Sequence, residues 1–193
     1  MTLREILIYP DPRLREKASP IEEVDEEIKT LMDDMVETMR EARGVGLAAT
    51  QVGVAKRVIV LELPEEVGEG KEGEDEEDEE GGEEDWGNRK VFKFVNPEIV
   101  EAEGETKYEE GCLSVPEVRA DVRRASQVLL RALDEEGSPV EVRAGGLFAI
   151  ALQHEIDHLD GVLFIDRLGK LKRELIKKRI KKVRTEEEEK VAL

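Results

Sequence analysis

Cysteine occurs once and histidine twice in 193 residues, and only seven residues are aromatic. A lone cysteine excludes an intramolecular disulfide, and with it the small secreted scaffolds that disulfides hold together. No stretch approaches 18 apolar residues, and residues 1–20 carry charge from Arg4 onward without an apolar leader-like run. Neither export nor membrane spanning is expected, and the expected location is cytoplasmic. Basic residues are also short: 30 Lys and Arg against 48 Asp and Glu give a net charge of −18. That balance argues against a nucleic-acid-binding domain and against specific DNA binding. Hydrophobic residues reach 39%, so a core can form, filled mainly by aliphatic side chains in a single domain.

The charge is unevenly placed. Residues 65–85 hold fourteen Asp or Glu, five Gly, one Lys and one Val, which leaves only −5 on the rest of the chain. A tract with so little to bury cannot offset its ordering entropy, and a disordered, solvated insertion is expected there. The end of the chain has the opposite sign. Lys170, Lys172, Arg173, Lys177, Lys178, Arg179, Lys181, Lys182 and Arg184 surround Leu171, Leu175, Ile176, Ile180 and Val183 at helical spacing. A basic amphipathic helix followed by the acidic run 186–189 is expected. It either packs by its apolar stripe or docks on RNA phosphates or another acidic surface.

Elsewhere the periodicity predicts a helix over 24–43 stopped by Gly44, and a strand over 57–63 ended by Pro64. Residues 91–95 alternate, Asn96-Pro97 reads as a turn, and 99–102 as a further short strand. Residues 126–133 and 140–143 flank a Glu-Gly-Ser-Pro turn and read as a hairpin. Gly145 and Gly146 open a second helix over 147–159, which Gly161 closes. Strands grouped between helices, with no repeated βα alternation, define an α+β fold with mainly antiparallel pairing.

Both histidines lie in one string, Gln153-His154-Glu155-Ile156-Asp157-His158. Positions i and i+4 share a helix face, so both imidazoles can reach one metal ion, with Glu155 beside it as general base. A catalytic site needs a third protein ligand. Long zinc proteases supply a third histidine downstream, but Phe164 stands at that position here. Asp160 and Asp166 are possible donors, and Cys112 is the better candidate. The string GVGLAATQVG (44–53) formally matches a dinucleotide fingerprint, but it follows a helix and leads into a strand, the reverse of the required context. Its glycines suit close approach of a substrate backbone, and Gln51 offers an uncharged donor to an oxyanion.

Taken together, GVGLAATQVG, EGCLSVP (110–116) and QHEIDHLDG (153–161) resemble, in order and spacing, the three signature motifs of the peptide deformylases. The likeness runs from Pro10-Asp11-Pro12 to the end of the second helix. It implies hydrolysis of the N-formyl group from the N-terminal methionine of nascent polypeptides. It also implies antiparallel sheets around a central HExxH helix. Carried over by position, Cys112, His154 and His158 are metal ligands, Glu155 is the acid/base, and Gln51 and the Leu113 amide are oxyanion donors. The family's metal is usually Fe2+, with Zn2+, Ni2+ or Co2+ able to replace it, and the donor set itself does not choose between iron and zinc.

The resemblance further implies that substrate adds as a strand between Val45-Gly46 and Glu110-Gly111. Val45, Leu147, Ile150 and Ala151 are candidates for the methionine pocket, and Arg119 for a contact to the peptide backbone. The basic C-terminal segment suits an enzyme that meets its substrate at the ribosome. The chain divides into a catalytic domain, 1–168, and a basic helix with acidic tail, 169–193. Two other readings compete. An ordinary HExxH endopeptidase is disfavoured by Phe164 and the matching cysteine string. A metal-loaded binding module is disfavoured by Glu155 and Gln51, which binding alone would not need.

Overall fold

The computed structural model describes residues 2–64 and 89–191, the side chains of 183–191 excepted. The acidic insertion expected over 65–85 lies outside the described residues. Helix α1 spans Glu26–Glu41, α2 Gly146–Leu159 and α3 Lys170–Val191. The strands are β1 (Gly46–Ala48), β2 (Val58–Pro64), β3 (Arg89–Glu103), β4 (Thr106–Cys112), β5 (Val115–Arg124), β6 (Gln127–Leu133) and β7 (Pro139–Gly145). Five form one sheet in the order β1-β2-β3-β6-β7, and β4 and β5 form a separate hairpin. Every pairing between these strands is antiparallel, as the α+β reading expects.

Strand β2 explains the layering. Val58 and Val60 pack with Ile28, Met32, Met35 and Met39 of α1, whereas Ile59, Leu61 and Leu63 pack with Phe148, Leu152 and Leu159 of α2. Successive side chains point to opposite faces, so a strand covered on both sides must be apolar throughout. Eleven of the 14 residues of α2 are buried. Such a helix is apolar on most of its circumference because other elements surround it. A third cluster joins Val115, Val118, Ala120 and Val122 of β5 to Leu163, Phe164 and Ile165.

Several boundaries differ from the sequence reading for identifiable reasons. Helix α1 is stopped by Arg43, which takes the left-handed conformation (φ 54°), while the Gly44 N–H closes the end on the Met39 carbonyl at 2.9 Å. Pro64 stays in β2, paired with Arg89. Asn96-Pro97 is a bulge within one long strand, not a turn. Asn96 has φ 52°, its side chain accepts from the Ile21 N–H (2.8 Å), and it donates to the Ile21 carbonyl (2.7 Å). The β4–β5 hairpin escapes hydrophobic patterning because Glu110 is the buried member of β4. Helix α3 continues through 186–189. Its apolar stripe splits: Ile176 and Ile180 pack on the hairpin cluster, while Leu171 and Leu175 are 77% and 59% exposed.

Glu62 points to the α1 face of β2, where it meets Arg40, the shorter contacts being Nη2 to Oε1 at 2.7 Å and Nε to Oε2 at 3.1 Å. Hydrogen bonds from Arg40 hold the Glu62 carboxyl below its ordinary range, against the opposing effect of burial. A depressed carboxylate pKa stabilises the fold above the unfolded-state value, and the gain is lost as pH falls through the carboxylate range. Half of the Arg40 side chain is in water, so the effect is discounted to about 1 kcal/mol. Glu62→Gln is expected to lower the thermal midpoint at pH 7 and to match the parent at about pH 3, read by calorimetry.

Candidate metal centre

The three ligand candidates come from two elements. Cys112 ends β4, where a tight turn pairs it with Val115. His154 and His158 lie one turn apart on α2, which the sheet and the hairpin bury between them. Their Nε2 atoms are 3.3 Å apart, and His158 Nε2 lies 3.2 Å from Cys112 Sγ. One donor atom from each residue falls within 4.8 Å of the others. A tetrahedral ion with metal–nitrogen bonds of 2.0–2.1 Å requires nitrogens about 3.3 Å apart, which is the spacing found. A thiolate and two imidazoles form a donor set for Fe2+ or Zn2+, and the residues therefore fit such an ion.

The surroundings favour positive charge on His154. Burial disfavours a charged His154, yet hydrogen bonds to Cys112 and Glu110 outweigh it and push the pKa well above its ordinary value. A metal ion held at Nε2 would take the place of that proton. Glu110 lies 2.7 Å from His154 Nδ1. Burial would raise its pKa, but bonds from Arg124 and His154 bring it down to about 2. An ionised carboxylate can only accept, so Nδ1 carries the hydrogen and Nε2 presents its lone pair. Burial, with His154 and Arg124 adding to it, holds His158 well below the ordinary imidazole value.

Glu155 is buried, and its Oε2 has no hydrogen-bond partner. Burial foremost, with the Glu110 and Asp157 charges adding to it and His154 opposing, pushes its pKa up to about 7. That is the range in which a carboxyl exchanges protons near neutral pH. Gln51 sits in the 3-10 turn Ala49–Val52 after β1. Its Oε1 accepts from the Ala48 N–H at 2.8 Å, and its Nε2 faces Ser114 Oγ at 3.1 Å and Cys112 Sγ at 3.7 Å. The glutamine carbonyl is thus anchored and its amide directed at the centre.

The remaining sequence candidates divide. Val45 and Leu147 pack on the same cluster that holds Ala151, and Ile150 is buried outside it. Arg119 is exposed, with its stem beside Gly111. Leu113 lies against Gly44, where an added Cβ would fall 2.7 Å from its Cδ1. The Glu110 side chain turns inward to His154 and Arg124, so only its backbone remains to meet a substrate. Asp160 pairs with Arg57, and Asp166 with Arg15 and the Leu163 N–H, so neither joins the ligand group. Phe164 stacks 6.2 Å from the His154 ring, an apolar wall where zinc proteases carry a third histidine. Sequence reasoning passed over Ser114, Arg124 and Asp157. Arg124 had left a signal: it continues the inward alternation Val118, Ala120, Val122.

Two histidines and a buried glutamate on a central helix between antiparallel sheets, with a cysteine brought to them by the hairpin, define a metal-dependent hydrolase. The polypeptide deformylase family profile matches residues 3–174. The chain is 48% identical over 183 residues to a peptide deformylase of Alkalilimnicola ehrlichii, covering 95% of this chain and 92% of that one. It is 50% identical to one of Phenylobacterium zucineum, over 94% of this chain and 97% of that protein. The fold matches the crystal structure of a peptide deformylase from Legionella pneumophila with a TM-score of 0.78 at 44% identity, covering 96% and 98% of the two chains. A Thermus thermophilus peptide deformylase structure gives 0.77 at 40% identity, covering 96% and 99%. The chain belongs to the polypeptide deformylase family.

Gly46 explains how Glu155 is placed. A Cβ there would fall 2.5 Å from Glu155 Oε1 and 2.9 Å from its Cδ and Cγ, so the carboxylate occupies the space a side chain would take. Gly46→Ala is expected to displace Glu155 and lower turnover about 100-fold while metal content stays at the parental level. Elemental analysis and turnover on one sample check this.

Proposed function

We propose the following roles for residues of this chain, which as a peptide deformylase removes the N-formyl group from the N-terminal methionine of newly made polypeptides and releases formate. Cys112, His154 and His158 hold one divalent metal ion, Fe2+ in the cell and replaceable by Zn2+, Ni2+ or Co2+. When bound, the ion supplies Lewis acidity to the attacking water and to the formyl carbonyl. Glu155 Oε2, buried without a partner, takes the proton from that water and later gives it to the departing amine. The carbon–nitrogen bond breaks as the amine leaves. Gln51 Nε2, fixed through its anchored carbonyl, donates to the developing oxyanion together with the Leu113 N–H.

Substrate enters as an added strand beside Val45-Gly46 and the Glu110-Gly111 backbone, with Arg119 at its far end. Gly46 heads the three-residue edge strand β1, whose outer side is the natural place for such pairing. The methionine side chain meets Val45, Leu147, Ile150 and Ala151. Residues 1–168 form the catalytic unit. The helix beyond residue 168 serves to dock the enzyme at the ribosome, where nascent chains emerge in the cytoplasm. Its exposed Leu171 and Leu175 among lysines and arginines support that reading. Among the described residues no helix is long and apolar enough to cross a membrane.

The observation that carries the proposal is the convergence of the Cys112 thiol and the two Nε2 atoms beside an unpartnered Glu155 oxygen. It is tested by formate release from N-formyl-Met-Ala-Ser by protein purified without oxygen, with metal measured on the same sample. Formate with about one metal ion per chain is expected. Metal-loaded protein that yields none, but cleaves an unformylated peptide internally, would restore the endopeptidase reading. Glu155→Gln is expected to keep its metal and lose turnover by about 10²–10⁴-fold. Cys112→Ser is expected to hold substoichiometric metal, and full occupancy would remove the cysteine from the site.

A further inference from the structure

We infer that Arg124 is a positioning residue for the metal centre: it ties Glu110 of β4 to Asp157 of α2 and so aims His154 at the point where Cys112 and His158 converge. The inference rests on the reading of those three residues as metal ligands. Arg124 ends β5 at an inward position and is 4% exposed. A charged group so placed is costly unless every donor finds a partner. Nε and Nη2 of its guanidinium donate to Oε1 and Oε2 of Glu110 at 2.6 and 2.9 Å, and Nη1 donates to Asp157 Oδ2 at 2.6 Å.

The placement of these partners gives the arginine its leverage. Glu110 is two residues before Cys112, and Asp157 immediately precedes His158. One side chain therefore joins a neighbour of the thiol ligand to a neighbour of an imidazole ligand. Glu110 Oε2, which Arg124 fixes, is also the oxygen that accepts from His154 Nδ1. The orientation of the His154 ring thus depends on where Arg124 holds that carboxylate. A planar fork can hold two carboxylates at set angles, and a lysine ammonium cannot reproduce it. Arg167 supplies a built-in contrast. It donates to both oxygens of Asp157, is half exposed, and has no bond to Glu110.

The test compares the parent with Arg124→Met, Arg124→Lys and Arg167→Met, each stripped of metal and shown to be folded by circular dichroism. Zn2+ affinity is measured by competition with a chromophoric chelator, and ligand geometry by the visible spectrum of the Co2+ form. The parent is expected to bind one ion per chain. Arg124→Met should bind Zn2+ about 10–100-fold more weakly and change the cobalt spectrum, with Arg124→Lys recovering only part of the loss. Arg167→Met should melt earlier yet keep the parental affinity and spectrum. Parental affinity and spectrum in either Arg124 variant would overturn the inference. Equal losses in Arg167→Met and Arg124→Met would also overturn it, because charge around Asp157 would then account for both. Should Arg124→Met not fold, Arg124→Lys decides by the same two readouts. A parent protein that takes up no ion would refute the metal reading instead.

Discussion

A helix that carries two imidazoles and two carboxylates into the middle of an apolar core persists only if those groups are paired. Among the buried residues of α2 are His154, Glu155, Asp157 and His158, beside Phe148, Leu152 and Leu159. Uncompensated, each polar group would cost more than most single apolar contacts contribute. Most of the cost is met from the hairpin, through Glu110 on His154 and Arg124 on Asp157. The exceptions are informative. Glu155 Oε2 and His158 Nδ1 are buried without a partner, and the unsatisfied carboxylate oxygen is the one to which we assign the proton transfer. The fold pairs most of the buried polarity of this helix and leaves these two atoms unsatisfied.

Much of this was legible in the residues. Both histidines stand in one helical string, so spacing alone placed them on one face. The cysteine was singled out by its solitude and by the lack of a third histidine. Strand β2 announced itself as an apolar run because two helices cover it. What the sequence concealed was polar burial. The inward face of β4 carries a glutamate, and patterning rules read such a segment as surface. Arg124 stands among Arg119, Arg123 and other charged residues, and its partners are 14 and 33 positions away. Only the three-dimensional pairing separates it from its solvated neighbours. Local chemistry also misled at Asn96-Pro97. A turn dipeptide became a bulge, its asparagine side chain bonded both ways to the Ile21 backbone.

Glycines show how the backbone takes part. The string 44–53, whose glycines suited close approach rather than a dinucleotide, makes its close contacts within the protein, with Gly44 against Leu113 and Gly46 against the Glu155 carboxylate. The absence of a side chain at Gly46 therefore gives the Glu155 carboxyl its place. At Gln51 the carbonyl end is held by the Ala48 N–H of β1, while the amide end faces Ser114 Oγ and Cys112 Sγ.

The division of the ligands between two separately built layers has a mechanical consequence. Cys112 belongs to a two-stranded hairpin outside the main sheet, and His158 lies 46 residues further along the chain, on the helix packed against that sheet. An ion held by both would act as a cross-link across a long loop, restricting the unfolded chain much as a disulfide does. A protein with a single cysteine has no disulfide with which to fasten its small sheet to its large one. Such an ion would supply that fastening, and holding the layers together and performing the chemistry would then be one property of the same atom.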